Sequence, residues 1–430
     1  MVNERLLCID LGSAYTKVAV RQGWSSKAEV LRGLPAFSSG EDSMLIPTVV
    51  ALDERKSPPR WIVGAAAAGT TGGVGIQVFS DWKRSLFATE AGAIANSGLT
   101  RKSALKIAGA FLRELRGIVH KEKPELADVP VRLTVPQLDD VQPPDEWISA
   151  LLDGAGWRPA RNRAALTEPE TNALGVFSRG LNVTWIPPQQ DHRGPPSRQI
   201  NMQRMLDPRL ARPFRHMREG FAVLTTDVGA FTTDFGYIWF DSSFRDDRWS
   251  EPVVRQRSVR LGIHELDAAV LDLLEPAVQR HFKAGPRVEW ERRKRELYAG
   301  NSQRVSVNGR VMEIGADFEA ESIRDQIKQF ADRIVRARDR FCSALGITAV
   351  DAEAVTGGGA AIETLRARIV GHAEAHARTV IDLRSSAEPE HATAAGAGKF
   401  TEAKRDRRLS ENAELVRTAS AIGGASVFFE

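Results

Sequence analysis

Two segments of the chain carry the same pattern of apolar and polar positions. RLLCIDLGSAYTKVAV (Arg5–Val20) and FAVLTTDVGAFTTDFGYI (Phe221–Ile238) each open with a short apolar run that ends in an aspartate, Asp10 or Asp227. A glycine follows two residues later, Gly12 or Gly229, and period-2 alternation then runs through Tyr15–Val20 and Phe235–Trp239. Short apolar runs predict buried strands and alternating runs predict returning strands, so each segment reads as a strand–turn–strand unit. The two units lie about half the chain apart. That spacing predicts two lobes of related architecture facing each other.

Between the units, strands and helices alternate. LIPTVVAL (Leu45–Leu52), RWIVGAA (Arg60–Ala66) and VRLTVP (Val131–Pro136) read as strands. Ser103–Val119 places Leu105, Ala108, Leu112, Leu115 and Val119 on one stripe of an amphipathic helix, and Asp145–Ala155 is a second helix. Beyond the second unit, helices are predicted over Glu265–Phe282, Val288–Tyr298 and Glu319–Leu345. A Gly-rich turn follows at Thr356–Gly359, with a further helix from Ala361. The class is α/β, with strand-end loops directed at a ligand.

Residues 185–220 break this pattern. Six prolines, seven arginines and few aliphatic residues cannot build a packed core, which predicts an exposed, partly flexible insertion. The expected division is therefore lobe I at 1–184, with a smaller subdomain at about 38–115, and lobe II at 221–400, with a smaller subdomain at about 250–320. A basic C-terminal helix and tail follow at 401–430, ending in the apolar run SVFFE.

Composition narrows the picture by exclusion. The 430 residues are 42% hydrophobic and 27% charged, and no run approaches the roughly 18 apolar residues of a membrane span. The N-terminal apolar run leads straight into Asp10, so it reads as a buried strand rather than a leader. Cys8 and Cys342 show neither a metal-ligand spacing nor a disulfide framework, which places the expected location in a reducing cytoplasm. Seven arginines against three acids in the 185–220 segment supply the whole net charge of +4. A basic face for nucleic acid is therefore not expected.

The D-x-G turns carry the candidate chemistry. Glycine lets successive backbone N–H groups approach one concavity and hold an anion, which assigns Gly12, Ser13, Ala14 and Tyr15, with Gly229, Ala230 and Phe231, to phosphate. Ser13 and Thr232 add hydroxyl donors, and Lys17 adds a point charge. Asp10, Asp227 and Asp234 would repel phosphate, and their fitting partner is Mg²⁺ held through its water shell. Three other features read as ordinary surface. GTTGGVG (Gly69–Gly75) lacks the Lys-Ser/Thr of a Walker loop, His372 and His376 lack a third ligand, and Lys399–Arg408 is a solvated basic helix face.

From Leu6 to Lys399 the order of motifs resembles the actin-like ATPase superfamily, and within it the nucleotide-binding domain of DnaK-type heat-shock protein 70 chaperones. The resemblance implies two lobes around a nucleotide cleft, each a ribonuclease-H-like core with a smaller subdomain. IDLGSAYTK resembles the first phosphate loop, with Lys17 closer to the actin version, and TTDVGAFTTDF resembles the second. IPTVVAL followed by WIVGAAA is similar to the strands that lead to the active site. In FSDWKRSL, Lys83 matches the catalytic lysine. In LTVPQ, Pro136 matches a switch proline, and in LTEPETNAL, Glu168 matches a glutamate near metal and water. ERRKRELY resembles the adenosine-holding helix, which implies that role for Glu291, Lys294, Arg295 and Tyr298. TGGGAA resembles the adenosine loop, with Gly357, Gly358, Gly359 and Ala361 in it, and Glu390 matches an acid near the metal.

Two departures stand out. Ala230 and Phe231 replace glycines of the second phosphate loop, where Phe231 could crowd the phosphates or turn outward. Ala361 replaces an arginine that stacks on the base. About thirty residues follow the resemblance, so the β-rich peptide-binding domain of the chaperones is not expected. The implied function is a Mg²⁺-dependent ATPase binding ATP and ADP, a nucleotide-controlled switch read by a separate protein partner. Residues 185–220 and the C-terminal tail are candidate contacts, and a spacer and a frayed end are the alternative readings. A filament-forming actin-like ATPase, a nucleotide-binding pseudoenzyme and a small-molecule kinase of the same superfamily stay open, although the kinase has no acceptor-site base in its favour.

Overall fold

The computed structural model describes residues 5–22, 28–32, 34, 45–89, 98–141, 145–161, 164–178, 220–241, 253–285, 287–377 and 380–382. The Pro/Arg stretch up to residue 219, Glu390, the basic run at 399–408 and the tail lie outside the described residues.

The first half begins with β1 (Arg5–Leu11) and β2 (Tyr15–Gln22), paired antiparallel with Asp10 opposite Lys17. β3 (Ala28–Val30) and β4 (Ile46–Pro47) pair with β2. A separate three-stranded sheet follows, made of β5 (Val50–Asp53), β6 (Arg60–Val63) and, after helix α1 (Ala65–Ala68), β7 (Ile76–Phe79). Helix α2 (Trp82–Leu86) leads to α3 (Arg101–Glu122), and α3 starts where the Thr100 side chain accepts a hydrogen bond from the Ser103 N–H. Its predicted stripe is buried at Ala108, Leu112, Leu115 and Val119. The strand β8 (Val131–Val135) is buried along its whole length, as expected of a parallel strand covered on both faces. Helix α4 (Asp145–Gly154), strand β9 (Ala165–Thr167) and helix α5 (Glu168–Ser178) complete this half. The main sheet runs β3-β2-β1-β8-β9, with β1, β8 and β9 parallel.

The second half repeats this plan. β10 (Gly220–Val228), β11 (Thr233–Asp241) and β12 (Val253–Val259) pair antiparallel. Helices α6 (Ile263–Leu271), α7 (Pro276–Ala284) and α8 (Arg287–Tyr298) follow, then the hairpin of β13 (Gln303–Val307) and β14 (Arg310–Ile314). Helix α9 (Asp317–Ala344), strand β15 (Ala352–Thr356), helix α10 (Glu363–Glu374) and strand β16 (Val380–Asp382) close the unit. The sheet order is β12-β11-β10-β15-β16, with β10, β15 and β16 parallel. Strand for strand, order and sense match those of the first sheet. The chain is thus a mixed α/β protein with two mixed sheets of one topology, and no helix among the described residues is long and apolar enough to cross a membrane.

Three expected elements need correction. The LIPTVVAL run is not one strand but two, β4 on the main sheet and β5 in the three-stranded sheet. The single helix over Glu265–Phe282 is two helices, because Pro276 has no N–H to bond back and instead opens α7. The helix expected from Ala361 starts at Glu363, since Gly358–Ala361 form a 3₁₀ turn. The Gly69–Gly75 run is surface loop, with Val74 fully exposed at its tip.

The halves are tied together. Ser258 N–H donates to the Gln137 carbonyl (2.7 Å), and the Gln137 N–H donates to Ser258 Oγ (2.8 Å). Helix α5 packs across β10, β11 and β12. Phe231, from the second half, is buried in the first-half core with Leu86, Phe87 and Leu138.

Candidate functional site

The two D-x-G turns end the central strands of the two sheets. A Cβ on Gly12 would fall on the Tyr15 carbonyl oxygen, so the first turn closes only with glycine. The Thr48 N–H holds this turn at the Ala14 carbonyl (2.9 Å). In the second turn, Gly229 N–H donates to the Thr232 carbonyl (2.9 Å). The first turn of α6 props it, with Ile263 N–H on the Gly229 carbonyl (3.0 Å) and His264 N–H on the Ala230 carbonyl (2.9 Å). These leading N–H groups of α6 are therefore engaged by the loop itself. Phe231 takes neither expected course. It neither crowds the turn nor faces solvent, but packs in the first-half core with the Arg84 guanidinium 5.7 Å from its ring centroid.

Strand register sets the charges. Asp10 lies opposite Lys17, and at the matching positions of the second hairpin Asp227 lies opposite Asp234. Asp10 accepts a hydrogen bond from Thr134 Oγ1 (2.9 Å), and Lys17 Nζ stands 3.7 Å from its other oxygen. Lys83, on α2 and 2% exposed, pairs with Glu168 at the head of α5 (Nζ–Oε1 2.6 Å). One turn along α5, the Asn172 amide donates to Asp227 and to Thr356 Oγ1 (2.9 Å). Asp234 accepts from Thr232 Oγ1 (3.0 Å) and from Ser258 Oγ.

Burial dominates the acid–base behaviour of this cluster. It pushes the Asp227 carboxyl up to about 7, with Lys17 opposing and Asp10 and Glu168 reinforcing the rise. Asp234 is raised well above the usual carboxylate range by burial and by Glu168 and Asp227. Glu168 is raised by burial, against the pull of Lys83. Four carboxyl groups thus face the two ammonium groups of Lys17 and Lys83, and with all four ionised the cluster would carry an excess of two negative charges. A divalent cation would balance it, and hard oxygen donors suit Mg²⁺.

Beside the turns, Glu291, Lys294 and Tyr298 of α8 converge on Asp267 of α6. Lys294 Nζ lies 2.9 Å from Asp267 and 2.8 Å from Glu291, and the Tyr298 hydroxyl donates to Asp267 (2.7 Å). His264, Asp267 and Glu291 offer ligand atoms within 4.8 Å of one another, but the Lys294 ammonium already bridges the two carboxylates of this set. Arg295 is exposed and stands apart from that convergence. Gly357, with φ +93°, lies so close to Asp227 and Val228 that a Cβ would collide with both. Gly359 is buried against Val228, while Gly358 and Ala361 are exposed.

A cavity of about 60 Å³ joins the two regions, lined by Ser13, Tyr15, Ala65, Ser80, His264 and Glu291. Ser13 Oγ is buried there without a hydrogen-bond partner from the protein. The volume suits a few water-sized groups and falls below the roughly 300–1,000 Å³ of small-molecule pockets.

Asn172, Thr134, Ser258, Asp267 and His264 had no motif to announce them. Asn172 alone left a trace, being four residues from Glu168 and so on the same helix face. His372, on α10, pairs with Asp339 of α9 (2.8 Å), and its ring centroid lies 4.7 Å from that of His376. Compared with known proteins, the chain matches no family model and no curated protein.

Proposed function

We propose that the chain is an actin-like ATPase resembling the nucleotide-binding domain of heat-shock protein 70 chaperones, which binds ATP with Mg²⁺ between its two sheets. The observation that carries the reading is the repeated sheet plan, which brings two D-x-G turns, Lys17 and the Lys83–Glu168 pair to one cluster of acids. Asp10 and Asp227 would hold Mg²⁺ through its waters, with Asp234 behind them. The ion would supply neutralisation of the phosphate charge. Lys17 and Lys83 face the phosphates, the turn N–H groups and Ser13 cradle them, and Glu168 with Lys83 orients a water and can take its proton. Gly357–Gly359 and α8 form the adenosine side, where the exposed Ala361 offers no stacking surface. Movement of the two halves about α5 would relay nucleotide state to a protein partner in the cytoplasm.

Calorimetric titration with Mg·ATP and phosphate-release assays on wild type and Lys83→Ala test this. Binding by both, with turnover lowered about 10²–10³-fold in the variant, is expected. A wild type that retains Mg·ATP unhydrolysed, with Lys83→Ala unchanged, would instead identify a pseudoenzyme. Absence of binding sinks the reading altogether.

A further inference from the structure

His264 has an unusual placement for a histidine. Its backbone N–H is fixed to the Ala230 carbonyl, the residue is 8% exposed, and it lines the same cavity as Ser13. Neither ring nitrogen has a hydrogen-bond partner. Nδ1 lies 2.9 Å from Asp81 Oδ1, within ion-pair distance but out of line for an N–H···O bond. A buried polar group with its bond unmade costs about 1–3 kcal/mol, a cost that water or a ligand entering the cavity would relieve.

Ser13 and His264 therefore form a pair. Each is buried, each leaves a side-chain polar atom without a partner, and they reach one cavity from opposite halves of the chain. Two other roles for the imidazole are weaker. As a metal ligand with Asp267 and Glu291 it would need to displace the Lys294 ammonium that bridges those carboxylates. As a tie between the halves it would need its Nδ1–H aligned on Asp81, and it is not.

We propose that His264 is a ligand-binding residue of the cleft, donating from Nε2 to an oxygen of the sugar–phosphate part of the nucleotide while Ser13 Oγ donates from the other side. The ligand then spans both halves and draws them together. This rests on the nucleotide reading above, and it adds a contact that no motif of the chain announces.

Titration calorimetry of the full chain with Mg·ADP and with adenosine separates the possibilities. His264→Ala is expected to weaken Mg·ADP at least tenfold. His264→Gln, whose amide nitrogen reaches the place of Nε2, should stay within about threefold of wild type, as should Asp81→Asn. An equal loss with adenosine assigns the contact to a sugar hydroxyl, and a loss confined to ADP assigns it to a phosphate oxygen. Wild-type affinity in His264→Ala overturns the proposal. So does a loss in Asp81→Asn and His264→Gln as large as in His264→Ala, which would make the histidine a tie between halves. A wild type that binds neither ligand overturns the nucleotide reading itself, and is thereby told apart from failure of this contact alone.

Discussion

Asp227 keeps its proton to about pH 7 because burial penalises its charge more than Lys17 and Asn172 offset it. The folded carboxyl binds a proton that the unfolded one, with an ordinary value of 3.8, gives up between those two values. Stability should therefore fall as pH rises from about 4 to about 7, by an amount of the order of a few kcal/mol. Asp234 and Glu168, also raised, act in the same direction. Thermal melts across this range should show the fall, and Asp227→Asn should flatten it. Mg²⁺ affinity of the wild type should rise over the same window, as the proton leaves. A second residue-scale test concerns Lys83. Removing it leaves Glu168 buried without its cation, so Lys83→Met should cost about 3–5 kcal/mol in denaturant unfolding. Lys83→Met with Glu168→Gln should recover part of that loss. Lys83 and Glu168 stood out in the sequence because each sits in a recognisable run. Asp267 and His264 did not, because an acid and a histidine on an amphipathic helix have no local signature of convergence.

At the scale of elements, the strand–turn–strand units were legible because period-2 alternation and a D-x-G turn are local properties. The split of α6 from α7 was legible too, in Pro276, although helical periodicity on both sides masks it. The turn at Gly229–Thr232 is the instructive case. By resemblance Phe231 stands where a glycine belongs, yet its ring is a core residue of the other half. Phe231→Ala should cost about 3–5 kcal/mol, the range for truncating a buried aromatic side chain. Phe231→Gly should cost no less, rather than improve the loop, and equilibrium unfolding of both variants checks this. Gly357→Ala should fail differently. A residue at φ +93° strains the backbone by about 1–3 kcal/mol, and its methyl collides with Asp227, so nucleotide affinity should fall along with stability.

For the whole molecule, the matching strand order of the two sheets gives the acidic cluster two similarly built sides. Each half contributes one turn, one aspartate and one residue opposite it in register, Lys17 in the first and Asp234 in the second. A ligand held by both halves should stabilise them as a unit. Mg·ATP at a hundred times its dissociation constant should add about 2.7 kcal/mol to stability. Chelation of Mg²⁺ should remove most of that gain. Amide exchange should slow together at Gly12–Tyr15 and Gly229–Thr232. Protection of one turn alone would argue against a shared cleft.

By itself the sequence determined the α/β class, most strands and helices, and the turns that carry Asp10, Gly12, Asp227 and Gly229. These follow from local periodicity and, at Gly12, from a turn that leaves no room for a Cβ beside the Tyr15 carbonyl. The tertiary structure alone decided that Phe231 is core, that Asn172 links α5 to Asp227, and that Lys294 and Tyr298 meet on Asp267. It also decided that His264 and Ser13 share a cavity. Those pairings join residues tens to hundreds of positions apart, and only tertiary packing, between the halves or within the second, sets the burial that makes their charges and unmade hydrogen bonds matter.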